Sequence, residues 1–175
     1  MVKDRITIRH LILSKVYAIL CNMEIYMDCC CLNRPFDDQT QDKIRIESDT
    51  IMAILWKCFY GKWLLIGSDI VTYEIMKTPD LGKRNKVLNV YSIKKDDVSF
   101  NDEIQNRALG LQKYGLKALD SLHFASAEYK NVSVLFASGF NTPPFRAFLP
   151  AHYWTMGVLN PHKIHTLQNQ HTSSL

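Results

Sequence analysis

The sequence of 175 residues lacks several features that define specialised classes of protein. Its longest apolar stretch, within residues 5–21, is interrupted by Lys15 and is too short and too charged to span a membrane. No small-residue cleavage site follows this stretch, which argues against a secretory signal. The chain also has no internal repeat and no low-complexity tract. These absences, together with the length, indicate one globular domain with a full core.

The cysteines do not form a pattern typical of a disulfide framework. Their number is odd, three of them are adjacent, and the full set is Cys21, Cys29, Cys30, Cys31 and Cys58. Secreted disulfide-rich domains have even numbers of spaced cysteines, so reduced thiols in a cytoplasmic protein are the better interpretation.

Acidic residues are absent after Glu128, although the chain contains 17 of them. Residues 1–22 also have a basic excess, with four lysines and arginines against Asp4. The formal net charge of +4 therefore arises from the two ends of the chain. It is poor evidence for a nucleic-acid-binding face on the central part.

The change in composition along the chain predicts three regions. We interpret residues 1–22 as an N-terminal extension upstream of a native start at Met23. Residues 23–138 are the predicted domain. Residues 139–175 contain four of the six prolines and no periodic pattern, so we predict a disordered, atypical tail.

Buried strands alternate with helices through the predicted domain. Residues 24–28, 63–68 and 132–137 are short apolar runs typical of buried strands, and residues 98–100 predict a briefer one. The predicted helices cover residues 38–60, 69–77, 80–91, 101–113 and 115–130, with Asp38, Ser68 or Asp69, and Asn101 as the expected caps. This alternation predicts an α/β fold with a parallel sheet.

Three acidic side chains lie where the chemistry of such a fold is expected. Asp28 ends the first strand, at the sheet edge where functional groups gather in parallel α/β proteins. Glu74 and Asp120 lie on helices next to other strands. If the fold brings the three carboxylates together, they would repel one another without a cation. Hard oxygen ligands favour Mg²⁺ or Mn²⁺, which would activate water and shield a phosphodiester.

The segments around these acids, "IYMDCCCLNRPFDDQ", "VTYEI" and "GLKALDSLHFASAE", resemble the three acidic motifs of PIN-domain proteins, the ribonuclease family that includes VapC-type toxins. The resemblance covers residues 23–137. It implies a three-layer α/β sandwich with a central parallel sheet and a metal-dependent endoribonuclease. Asp28, Glu74 and Asp120 would be its catalytic and metal-binding residues. It also implies RNA as substrate, an antitoxin protein as partner and homodimer formation.

The chain departs from the family pattern after the last predicted strand. Family members have a fourth acid there, whereas this chain has Gly139 in "FASGF". The alternative interpretation is therefore a catalytically impaired PIN-like protein that binds RNA or protein.

Other polar residues near the motifs receive more modest interpretations. We interpret His123 as a hydrogen-bonded core residue, because it shares a predicted helix face with Leu116 and Leu119. Asn33 and Arg34 are candidates for RNA contact, and bracing of their own loop is an equal alternative. The adjacent cysteines 29–31 are expected to continue the strand with side chains on opposite faces, which excludes a shared metal site.

Overall fold

The computed structural model describes residues 23–137 and the backbone of Val158–Leu159. The strands are β1 (Met23–Met27), β2 (Trp63–Ser68), β3 (Asp96–Val98), β4 (Val134–Phe136) and β5 (Val158–Leu159). The helices are α1 (Cys29–Asn33), α2 (Asp42–Phe59), α3 (Asp69–Met76), α4 (Leu81–Tyr91), α5 (Asp102–Gln112) and α6 (Ala118–Lys130). A 3₁₀ turn at Arg34–Phe36 follows α1.

The strands form one sheet in the order β3-β2-β1-β4-β5. The first four strands are parallel to one another, with β1 between β2 and β4. β5 adds to the outer edge of β4 in the antiparallel direction. The predicted fold class, α/β with a central parallel sheet, is confirmed.

Both faces of the central strands are covered. Ile25, Tyr26 and Met27 follow one another along β1 and point alternately to opposite faces, yet all three are fully buried. Parallel strands are buried in this way because their crossover helices pack on both sides of the sheet. The arrangement is therefore three-layered, as the resemblance implied.

Most helix boundaries follow from local capping. Ser68, Asp80 and Asn101 accept hydrogen bonds from the backbone at the starts of α3, α4 and α5. Helix α2 ends where Gly61 takes a φ of 68°, and the amide of Lys62 then donates to the carbonyl of Lys57. This is the bond of a Schellman ending, in which glycine supplies the left-handed residue without steric cost.

One predicted cap is wrong. The side chain of Asp38 bonds to the backbone and hydroxyl of Thr40, and helix α2 begins only at Asp42. Asp38 and Thr40 thus form a local turn that competes with helix initiation. The prediction of a first helical turn near residue 38 was four residues too early.

The placement of the adjacent cysteines on a strand is also wrong. The strand ends at Met27, and Cys29, Cys30 and Cys31 form the first turn of helix α1. Cys29 and Cys31 are buried, as expected of small apolar residues, whereas Cys30 is exposed. A further correction concerns Leu119, which is 41% exposed and does not share the buried face of His123.

The predictions for the two ends fall mostly outside the described residues. The extension at 1–22 and Gly139 lie there, as does the tail at 139–175 apart from Val158–Leu159. Among the residues that the structure describes, no helix has the length and apolar character needed to cross a membrane.

Candidate active site

Asp28 lies at the carboxyl end of the central strand β1, where β1 passes into helix α1. Its backbone amide donates to the carbonyl of Phe136 on the neighbouring strand β4, at 3.0 Å. Its Oδ1 accepts a hydrogen bond of 2.7 Å from the amide of Cys31 and so caps α1. The residue is only 4% exposed. A buried carboxylate at this edge of a parallel sheet is the first element of the candidate site.

Glu74 approaches the same region from helix α3. Its Oε2 lies 2.6 Å from Nε2 of His123, a buried residue of helix α6. His123 follows Asp120 by three positions, so their side chains lie on one face of α6. The bond to His123 therefore brings Glu74 to the part of α6 that carries Asp120.

The pKa of Asp120 depends on its burial and on the charges of the other two acids. Burial raises the pKa of its carboxyl above the ordinary value of 3.8, and the charges of Asp28 and Glu74 raise it further. The charge of Lys117 acts in the opposite direction. The three carboxylates predicted from the motifs thus come from three different elements, and Asp28 and Glu74 both lie within electrostatic reach of Asp120.

Cys29 also lies within electrostatic reach of Glu74 and Asp28. Burial raises the pKa of its thiol to about 12, and the charges of Glu74 and Asp28 contribute in the same direction. Burial also raises the pKa of Cys31 well above its usual range and that of Cys58 to about 11. Thiols with raised pKa values stay protonated and are poor nucleophiles and poor metal ligands. Cys29, Cys31 and Cys58 are therefore weaker candidates for chemistry than the carboxylates.

The carboxylates do not form a closed metal cage. Within residues 23–137, no three His, Cys, Asp or Glu side chains are grouped closely enough to hold an ion. One oxygen of Asp28 is occupied by the Cys31 amide and one of Glu74 by His123. The donor set fits Mg²⁺ in its usual protein environment, where one or two carboxylates bind it and it keeps several waters.

The two candidates for RNA contact are engaged within the protein. Asn33 donates from Nδ2 to the carbonyl and Sγ of Cys29, at 2.8 and 3.1 Å, and its buried Oδ1 accepts no hydrogen bond from the described residues. Arg34 forms ion pairs with Asp37 and Glu47, at 3.0 and 2.9 Å. The contacts of Asn33 lie within helix α1, and those of Arg34 join the 3₁₀ turn to Asp37 and to helix α2. The contact of either residue with RNA stays a prediction.

The sequence patterns did not identify Tyr26 and Ser68 as neighbours of the site. The Tyr26 hydroxyl lies 2.9 Å from Nδ1 of His123 and 2.6 Å from Oγ of Ser68. The interpretation of His123 as a hydrogen-bonded buried residue agrees with these contacts, but its partner Glu74 makes it part of the site's surroundings. One signal was available in the sequence: Tyr26 precedes Asp28 by two residues, the spacing that places two strand residues on one face.

Comparisons with known proteins add little to this geometry. No family model matches the chain, and no curated protein matches it. Among solved structures, the chain is similar to the one described as the crystal structure of FitAcB from Neisseria gonorrhoeae. The two are 14% identical, with 70% of this chain and 91% of that chain covered and a TM-score of 0.42. At this identity and TM-score, the likeness does not assign the chain to a family.

Proposed function

We propose that this protein is a metal-dependent endoribonuclease of PIN type that hydrolyses RNA phosphodiester bonds. The observation that supports the proposal is that the charges of Asp28, which ends the central parallel strand, and of Glu74 both reach Asp120. The resemblance of the three surrounding segments to the acidic motifs of PIN-domain proteins supports it. The same resemblance supports a biological role as the toxin of a toxin–antitoxin pair, with an antitoxin protein as partner.

Each carboxylate has a distinct part in this proposal. Asp28 and Asp120 would hold Mg²⁺ or Mn²⁺, because Asp28 lies at the carboxyl end of the central strand and its charge reaches Asp120. Glu74 would ligate the ion through its second oxygen or orient the attacking water. The ion would supply an activated water and shield the charge of the phosphodiester.

The alternative is a PIN-like protein that binds RNA or protein without cleaving it. The observation that favours this alternative is the lack of a ready-made group of three metal-binding side chains in residues 23–137.

An RNA-cleavage assay tests the proposal. The purified full-length chain should cleave single-stranded RNA in Mg²⁺ or Mn²⁺ and not in EDTA. Asp120→Asn should abolish cleavage, because it removes one of the two acids assigned to the ion. Asp102→Asn is a matched control, since Asp102 is also an acid in the first turn of a helix, but an exposed one on α5.

RNA binding without cleavage by the wild type would support the alternative. Equal cleavage by the wild type and Asp120→Asn would show that the activity does not belong to this site.

A further inference from the structure

Four side chains form a hydrogen-bonded chain that ends at the candidate site. Ser68 Oγ lies 2.6 Å from Tyr26 Oη, Tyr26 Oη lies 2.9 Å from His123 Nδ1, and His123 Nε2 lies 2.6 Å from Glu74 Oε2. Ser68 and Tyr26 are fully buried, and His123 is 3% exposed. Residues this far apart in the sequence meet only through the tertiary fold.

The chain connects the three elements that carry the three acids. Tyr26 lies on β1 two residues before Asp28, and Ser68 caps the helix that carries Glu74, because its Oγ accepts from the amide of Val71 at 3.1 Å. His123 lies one turn beyond Asp120 on α6. A change at any link would therefore be transmitted to the relative positions of the carboxylates.

The donors and acceptors of the four side chains fit hydrogen bonds that are donated in one direction, from Ser68 toward Glu74. The Tyr26 phenol has one O–H to donate, and its oxygen lies within hydrogen-bond distance of both Ser68 and His123. Ser68 Oγ already accepts from the Val71 amide, so its own O–H is available for Tyr26 Oη. Tyr26 then donates to Nδ1 of His123, which leaves the ring proton on Nε2 to donate to Glu74.

We infer that His123 and Tyr26 are positioning residues for Glu74. Tyr26 holds His123 in the Nε2–H tautomer, and the ring fixes Oε2 of Glu74, so that only Oε1 is left to serve a water or a cation. The inference rests on the proposed function of the site and refines it, because Glu74 then acts through a single oxygen. Histidine ligands of metal sites are oriented by second hydrogen bonds in the same manner.

Nitrogen NMR of the metal-free full-length protein tests the direction of the hydrogen bonds that run from Ser68 to Glu74. The chemical shifts of the two ring nitrogens report which of them carries a proton. The signals of His123 are identified among the six histidines by their loss in His123→Gln. We expect a protonated Nε2 and an unprotonated, hydrogen-bonded Nδ1. A proton on Nδ1, whether in the other tautomer or in an imidazolium, would overturn the inference.

Manganese affinity tests the positioning role. Tyr26→Phe should shift the Nδ1 signal of His123 and weaken Mn²⁺ binding roughly 10-fold, the lower range for loss of an orienting partner. Tyr129→Phe is the control for loss of a tyrosine hydroxyl, since Tyr129 is 51% exposed and is not one of the four hydrogen-bonded side chains. It should leave both measurements unchanged. Unchanged values in Tyr26→Phe, or equal changes in both variants, would overturn the role.

A conservative replacement separates positioning from packing. His123→Gln retains an amide N–H that is able to reach Glu74 and should keep more Mn²⁺ affinity than His123→Ala. Equal loss in the two variants would contradict the positioning role. Absence of Mn²⁺ binding by the wild type would instead overturn the proposed function. It would also remove the positioning role that we assign to His123 and Tyr26. The nitrogen signals would still decide the direction of the hydrogen bonds.

Discussion

Asp28 combines two roles that substitutions are able to separate. Its side chain caps helix α1 through the 2.7 Å bond from the Cys31 amide, and its charge raises the pKa of Asp120. Asparagine keeps an oxygen for the cap and removes the charge, because Asn and Asp are equivalent N-caps. Alanine removes both.

The cap has a magnitude that follows from its burial. Loss of an N-cap lowers stability by about 1 kcal/mol, and leaving a buried amide without an acceptor lowers it by about 1–3 kcal/mol. Both values describe the loss of the same hydrogen bond, so they are not added. Cys31 is 8% exposed, so water does not readily replace the lost oxygen. We expect Asp28→Ala to be about 2 kcal/mol less stable than Asp28→Asn. We expect Asp28→Asn to be at least as stable as the wild type without metal, because one of three like charges is gone.

Urea unfolding in EDTA measures both differences. With a shared slope, the midpoints give the free energies of unfolding directly. In thermal unfolding, about 2 kcal/mol corresponds to a difference of roughly 8 °C for a domain near this size. Equal stability of the alanine and asparagine variants would refute the capping role. A metal-free asparagine variant clearly less stable than the wild type would refute the repulsion between the carboxylates.

Three further predictions concern other parts of the structure. Because the folded-state pKa of Asp120 is raised, its contribution to stability should fall as pH rises from 3.8 through that higher pKa. The difference in metal-free stability between Asp120→Asn and the wild type should therefore grow in favour of Asp120→Asn across that window, and a constant difference would contradict the raised pKa. A double-mutant cycle of Arg107→Met and Glu128→Gln, measured by urea unfolding, should give a coupling free energy of about 1–2 kcal/mol. The reason is that the ion pair is bidentate, with N–O distances of 2.5 and 2.9 Å, and partly buried. A coupling of zero would contradict this. Gly67→Ala should lower the free energy of unfolding by about 1–3 kcal/mol, because the alanine Cβ would lie 2.5 Å from the buried hydroxyl of Tyr91. An unchanged unfolding midpoint would show that the surrounding side chains move to accept the extra methyl group.

Local sequence signals predicted the elements that depend on local interactions. Strand β2 and the capped starts of α3 and α5 lie where Ser68 and Asn101 indicated, because an N-cap satisfies amides only two or three residues away. The position of Asp28 at the end of a buried strand was likewise visible from the apolar run before it. These features need no knowledge of the rest of the fold.

The remaining features depend on tertiary contacts. Helix α1 is too short to show a helical period, so the three cysteines could not be distinguished from a continuing strand. The contact of His123 with Glu74 joins residues 49 positions apart, and the contact with Tyr26 joins residues 97 apart. No local pattern encodes such pairs, and the role of His123 beside the site was therefore missed.

The central claim is that Asp28, Glu74 and Asp120 form one site for a divalent cation. A titration of the full-length chain with Mn²⁺, followed by electron paramagnetic resonance of the free ion, tests it most directly. The wild type should bind Mn²⁺, and Asp28→Asn and Asp120→Asn should each lose most of that binding, while the exposed-acid control Asp102→Asn should bind as the wild type does. Undiminished binding by both site variants, or no binding by the wild type, would contradict the claim.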